Sequence, residues 1–265
     1  MPIHPTAVID PKARVPESCQ IGPYCILGPN VELGENCNLV SHVHIAGPTR
    51  IGNNVGIFPF TSLGMAPQDI GYAGEPTRLE IGDDNQIREF VSINRGTVKG
   101  GGVTRIGNHV LVMAYTHVAH DCQIGDHVIL ANAATLGGHV TVGDWAVVGA
   151  LCPVHQFVRI GAHSYIGGGT TITRDVLPFS KTAAARDTHA YGINSVGLER
   201  RGFTKDRIRK IHHAYKVLLA SKLNTTQALE KLKSEADAHA GDGEGEEDVA
   251  MLIRFIEASE RGVIK

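Results

Sequence analysis

The 265-residue sequence is short of aromatic side chains: seven Phe, six Tyr and one Trp, 5% in all. A core with so few rings must be filled by Val, Ile, Leu and Ala. Charge of one sign is also missing. The formal net charge is −2, so no overall basic field points to nucleic acid, and no nucleic-acid partner is expected. No stretch approaches the ~20 apolar residues of a membrane span, so membrane insertion is not expected. The opening MPIHPTAVID lacks a basic start followed by an apolar run. A secretory leader is therefore not expected, and the cytoplasm is the expected compartment. The five cysteines are an odd number without a CxxC pair, which argues against a disulfide framework and against a thiolate zinc site.

What the sequence has instead is glycine, 31 residues of it, and a six-residue period. Aliphatic residues recur from Ile3 through Ile9, Val15 and Ile21 to Leu63. The register resumes at Ile81, Ile87 and Ile93, then runs from Ile106 to Ile172. The next residue is often Gly, and the one four places on is small or β-branched, with Asn85 as the main exception. Cys19, Cys25, Cys37, Cys122 and Cys152 all occupy that small position, as apolar fillers. A period of six is neither helical nor simple alternation. It is the hexapeptide signature of a parallel β-helix, three short strands to a coil of about eighteen residues. Gly is expected where a corner needs positive φ or close backbone approach. The two breaks predict loops thrown out of the prism, at 64–80 and 97–105, and long loops on a regular scaffold tend to be functional. The periodicity stops near Pro178. The expected organisation is a β-helix over 1–178, a connector over 179–195 and a helical domain over 196–265. In the last, Phe203 and Ile208 bracket Thr204 as a hydrophobic staple around an N-cap. Further helices are expected over 226–235 and from about 249, with an acidic loop at 238–248.

In such a coil, residues eighteen apart stack. His120 then lies under Gly138 and Gln156, with His117, Asp121, His139 and His155 beside them. An imidazole is a natural general base for a hydroxyl at neutral pH. A carboxylate such as Asp121 fixes its tautomer, and a free N–H at a Gly corner can hold an oxyanion. These parts suggest acyl transfer without a covalent enzyme intermediate, because no Ser or Cys nucleophile is well placed. A His cluster can also bind zinc, as in a hydratase, and a purely structural solenoid is a third reading. The spacing of His117 and His120 suits a metal less well. In the tail, Arg200, Arg201, Lys205, Arg207, Arg209, Lys210, Lys216 and Lys222 outnumber the acids, a face suited to an acidic partner or a phosphate.

The motifs YAGEPTR (72–78), NRGTVKGGG (94–102), HVAHDCQIG (117–125), LGGHV (136–140), VHQFVRIG (154–161) and GLERRGF (197–203) carry a resemblance across essentially the whole chain. The sequence resembles the UDP-N-acetylglucosamine O-acyltransferase family. The resemblance implies a left-handed parallel β-helix with a C-terminal helical domain, assembled as a homotrimer with sites between neighbouring prisms. It implies an (R)-3-hydroxyacyl donor on acyl carrier protein and the glucosamine 3-hydroxyl of UDP-N-acetylglucosamine as acceptor, with no cofactor and no metal. On the matching positions, His120 is the general base, Asp121 orients it and the Gly138 N–H holds the oxyanion. His117, His139, His155 and Gln156 line the groove. Asp69 contacts the sugar, with Gln68 beside it, and Asn194 and Arg200 take the nucleotide and its phosphates. Gly168 matches a position that sets acyl length, and Gly there favours a longer chain. Two residues depart from the pattern: Gly71 stands where many members carry Lys, and Val196 where an acid often occurs. Some relatives acylate a 3-amino sugar nucleotide, and that acceptor stays open at this stage.

Overall fold

The hexads fold into three parallel sheets of two- to four-residue strands, seen in a computed structural model that describes residues 3–184, 188–221, 223–238 and 245–265. Sheet A starts at Gln20–Ile21, sheet B at Val8–Ile9 and sheet C at Val31–Leu33, and the chain visits A, B and C in turn. Each strand pairs with its counterpart one coil on, as Val8–Ile9 pairs with Ile26–Leu27. The hexad aliphatics point inward: Leu39, Ile57, Ile87, Leu130 and Ile166 are all fully buried.

The corners report a division of labour that the sequence pattern only half suggested. Left-handed backbone falls three residues after most of the aliphatic positions, and there it is carried mainly by Tyr24, Asn30, Phe60, Asp121, His139, Trp145 and similar non-glycine residues. The glycines that directly follow the aliphatic position serve close approach instead. A Cβ on Gly22 would fall inside the carbonyl of Val40 on the next coil. The rings excluded from the interior stack outside, along the edges. Phe60, Phe90 and Tyr115 follow one another at about 5 Å between centroids.

The five cysteines are buried and unpaired. The Cys19, Cys37, Cys122 and Cys152 thiols donate to carbonyls of the next coil, at 3.1–3.2 Å. Asn85, the polar exception in the small column, is fully buried and fully used. Its amide donates to Gly82 O and Gly107 O, and its Oδ1 accepts from Val110 N.

Two coils are longer than the rest. Ser62 pairs with Ser92, and Ser92 with His117, separations of 30 and 25 residues in place of 18. The extra residues leave as loops between Met65 and Arg78 and between Asn94 and Val103, and the strands close again in register behind them. Both loops leave the edge where sheet B passes to sheet C.

Past the prism, Ser180–Ala184 pairs parallel to Tyr165–Ile166 and Thr188–Ile193 returns antiparallel to it, so much of the 179–195 segment extends sheet A. Among the described residues four α-helices follow: α1 (Ser195–Arg200), α2 (Lys205–Tyr215), α3 (Thr225–Ala238) and α4 (Glu246–Glu257), with a π-helical turn at Lys216–Ala220. Thr204 caps α2 as its spacing suggested, its Oγ1 accepting from Arg207 N at 3.3 Å. A second core of Leu177, Phe179, Leu198, Tyr215, Leu232 and Leu252 fastens the helices to the end of the prism. Most of the acidic loop expected at 238–248 lies outside the described residues, as does Lys222. Among the described residues, no helix is long and apolar enough to cross a membrane.

Candidate active site

The B–C edge brings the histidines together on consecutive coils. Asp121 takes the left-handed corner conformation, φ 62°, and this turns its carboxylate back under the second loop. There it is wholly buried and fully engaged. Oδ1 accepts from Thr97 N at 2.8 Å, and Oδ2 accepts from Thr97 Oγ1 at 2.6 Å and from His120 Nδ1 at 2.8 Å. The loop can pack this closely because it is bare: a Cβ on Gly100 would overlap the Asp121 carboxylate, and one on Gly96 would lie 2.8 Å from Oδ1.

A carboxylate accepting at Nδ1 leaves the neutral His120 ring with its lone pair on Nε2. Nε2 has no partner among the described residues, and the side chain is only 12% exposed. Gly138 lies directly against the ring. A Cβ there would come within 2.6 Å of His120 Cε1 and 2.8 Å of Nε2. The Gly138 N–H donates to no described group, while its carbonyl accepts from Phe157 N. A proton acceptor and an unused backbone donor therefore share one corner.

The other histidines surround this centre. His139 meets His120 edge-on at 5.1 Å and stacks on Phe157 at 4.3 Å. Its pKa is held below the usual imidazole value, chiefly by burial. His117 Nδ1 lies 2.7 Å from Ser92 Oγ, and burial, helped by His120, lowers its pKa too. His155 and Gln156 are exposed one coil further on, the His155 Nδ1–H donating to Gln156 O at 3.0 Å. Asp69 is half-buried in the first loop and acts on His139 electrostatically, and Gln68 beside it is exposed. That loop is pinned by Arg95, which donates to Tyr72 Oη and to the carbonyls of Gly47 and Gly64.

His120, Asp121 and His139 offer ligand atoms within 4.8 Å of one another. Both Asp121 oxygens are already accepting hydrogen bonds, and His120 turns Nδ1 inward to one of them. A metal held by these three residues would have to displace that network.

Three expected site residues lie elsewhere in the chain's fold, Gly168 on the prism and Asn194 and Arg200 at the first helix beyond it. Asn194 caps α1 and donates to His163 O, at the C–A edge. Arg200 is exposed at the end of α1. Gly168 is exposed at the A–B edge. The basic face of the tail is partly spent: Arg207 forms a two-pronged pair with buried Asp248, and Arg209 and Lys210 lie beside Asp206 and Glu246. Thr97, Ser92, Phe157 and Arg95 were not singled out from sequence. Stacking by eighteen cannot find Thr97, because a loop separates it from Asp121. Gly96 and the Gly100–Gly102 run of the 94–102 motif were the signal, since bare backbone there implies close packing on a neighbour.

Three parallel faces, six-residue repeats and a histidine corner define a hexapeptide transferase. The pattern described as "Bacterial transferase hexapeptide (six repeats)" matches residues 12–47 and 104–138, and "Udp N-acetylglucosamine O-acyltransferase; Domain 2" matches 175–264. An acyl-[acyl-carrier-protein]–UDP-N-acetylglucosamine O-acyltransferase of Halorhodospira halophila is 49% identical over 263 residues, 99% of each chain. One of the same name from Anaeromyxobacter is 46% identical over the full length of both. The crystal structure of the UDP-N-acetylglucosamine O-acyltransferase of Moraxella catarrhalis superimposes with a TM-score of 0.94 at 42% identity, covering all of both chains. The chain belongs to the UDP-N-acetylglucosamine O-acyltransferase family. Its fold is the expected left-handed parallel β-helix with C-terminal helices.

Proposed function

We propose that this chain transfers an (R)-3-hydroxyacyl group from acyl carrier protein to the glucosamine 3-hydroxyl of UDP-N-acetylglucosamine, the first step of lipid A biosynthesis. The observation that carries the mechanism is the Asp121-held His120 with Nε2 unpartnered against Gly138. Nε2 removes the proton of the 3-hydroxyl as its oxygen attacks the thioester carbonyl. The tetrahedral oxyanion accepts from the Gly138 N–H. Collapse breaks the C–S bond, and the leaving thiolate recovers the proton from Nε2–H. Asp121 stabilises the imidazolium between these events, and its Thr97 clamp fixes the direction in which Nε2 points.

His117, His139, His155 and Gln156 line the substrate groove in this reading, and Asp69 and Gln68 close it from the first loop. Asn194 and Arg200 bind the nucleotide, and Gly168 sets acyl length. Within one prism these last three lie on or beyond other edges than His120. A homotrimer that sets one copy's edge against another's supplies the missing proximity. The reaction then belongs in the cytoplasm, where acyl carrier protein and the sugar nucleotide meet, and the exposed Arg200, Lys205 and Lys216 offer an acidic carrier a dock.

The test is His120→Ala, assayed with acyl carrier protein thioesters against 3-hydroxyl and 3-amino acceptors. Transfer falls by on the order of 10³-fold or more, in the upper range of general-base contributions, while melting and oligomer size are unchanged. Near-normal turnover of the variant would sink the base assignment, and preference of the parent protein for the 3-amino acceptor would overturn the acceptor assignment.

A further inference from the structure

Gly71 and Lys99 belong to different loops, and the fold superimposes their space. The first loop makes a tight turn at Asp69, whose Oδ1 accepts from Gly71 N at 2.7 Å and whose carbonyl accepts from Tyr72 N at 3.1 Å. The second loop makes one 3₁₀ turn, Val98–Gly100, capped by Thr97. This turn carries Lys99 across to the first loop. A Cβ on Gly71 would lie 3.3 Å from Lys99 Nζ and 3.3 Å from Asp69 Oδ1. The ammonium therefore lies in tight contact with the place where a side chain at 71 would begin. Asp69, Gly71, Tyr72, Glu75, Thr97 and Lys99 line one small cleft there.

Three observations give this ammonium a task. It is exposed and forms no ion pair within 4.0 Å among the described residues, although Asp69 and Glu75 share its cleft. It is two residues from Thr97, which clamps the carboxylate that orients His120. Its neighbour Asp69 acts electrostatically on His139, whose ring touches that of His120. A cation without an ion pair on a capped turn, beside the reacting corner, suits a phosphorylated substrate. A lysine binds phosphate as a point charge.

We infer that Lys99 binds the diphosphate of the sugar-nucleotide acceptor, reaching it from the second loop across the bare backbone of Gly71. The inference rests on the acyl-transfer reading given above. It explains why Gly is tolerated at 71: a long side chain there would crowd the ammonium. It also makes the two positions alternatives, so that each determines what the other can be.

A mutant cycle tests this. Lys99→Met keeps the stem and removes the charge. The acceptor KM rises about 10- to 100-fold, the range of a hydrogen bond to a charged group, while kcat and the donor KM stay nearly unchanged. Gly71→Lys alone also raises the acceptor KM, because it forces two cations together. Gly71→Lys combined with Lys99→Ala returns the acceptor KM towards the parent value. An unchanged acceptor KM in Lys99→Met overturns the inference. So does a double variant no better than Lys99→Ala alone. Calorimetric titration with UDP-N-acetylglucosamine reads the same contact without turnover. If the parent protein binds the nucleotide but transfers no acyl group, the acyl-transfer reading fails while the Lys99 contact is still measured.

Discussion

Gly138→Ala places a single methyl group against the catalytic corner. Its Cβ would stand 2.6 Å from His120 Cε1 and 2.8 Å from Nε2, where carbon atoms prefer ~3.5–4.0 Å. The imidazole must retreat by about 1 Å to restore contact distance. Asp121 cannot follow, because Thr97 holds both of its oxygens under a loop with no slack at Gly96 and Gly100. The ring therefore moves relative to its own hydrogen-bond partner and to the acceptor hydroxyl. A misplacement of this size costs on the order of 10²-fold in rate, about 2.7 kcal/mol of transition-state stabilisation. The assay is kcat/KM for transfer from an acyl carrier protein thioester, with a melting curve to show that the prism persists. Gly138 does not use left-handed backbone, so the alanine brings no conformational strain of its own. In a His120→Ala background the obstructed ring is gone, and Gly138→Ala then adds almost nothing. Activity within a few-fold of the parent, or costs that simply add, would refute the reasoning.

Two further outcomes concern the scaffold. His163 sits between Trp145 and Phe179 with its buried Nδ1 unpartnered, and burial, with Arg201 adding to it, lowers its pKa from 6.5 to about 4. The unfolded chain takes up this proton near pH 6.5 and the folded chain only near 4. Stability therefore falls as pH drops through that window and levels off below it. Melting temperatures at pH 7 and pH 5 show the drop, and His163→Phe makes it shallower; an equal drop in that variant would dismiss His163 as the cause. Burial pushes the Cys37 thiol up to about 11 and the Cys122 thiol up to about 12. A thiol reagent at pH 8 finds no reactive cysteine in the native protein and five after denaturation, and rapid native labelling would contradict the packing of that column.

The prism was legible in the sequence because its register repeats: one coil's aliphatic, glycine and small positions predict the next. The His120–Gly138–Gln156 stack was legible for the same reason, as was the inertness of the cysteines. Legibility ended where repetition ended. Thr97 and Lys99 lie on an inserted loop, so no spacing rule reaches them from Asp121 or Gly71. The positive-φ corners were misassigned in part, since Gly was expected there and aromatic, Asn and His residues hold most of them. Those side chains lie outside the prism, where neighbours eighteen apart can stack, while the adjacent Gly makes room for the next coil. Asn194 and Arg200 matched the family pattern, yet one chain alone does not bring them to His120.

The lengthened coils at 62–92 and 92–117 close as cleanly as the ordinary ones, with Ile93 facing Leu63 on one side and Val118 on the other. An edge of this prism can thus pay out chain and take it up again without disturbing the interior. Evolution can redraw the walls of the pocket while the hydrophobic stack beneath stays untouched. It can also move a charge from one loop to the next, since both depart from the same edge. Novelty in such a protein is written in the margins, coil by coil, and the text between them need not change.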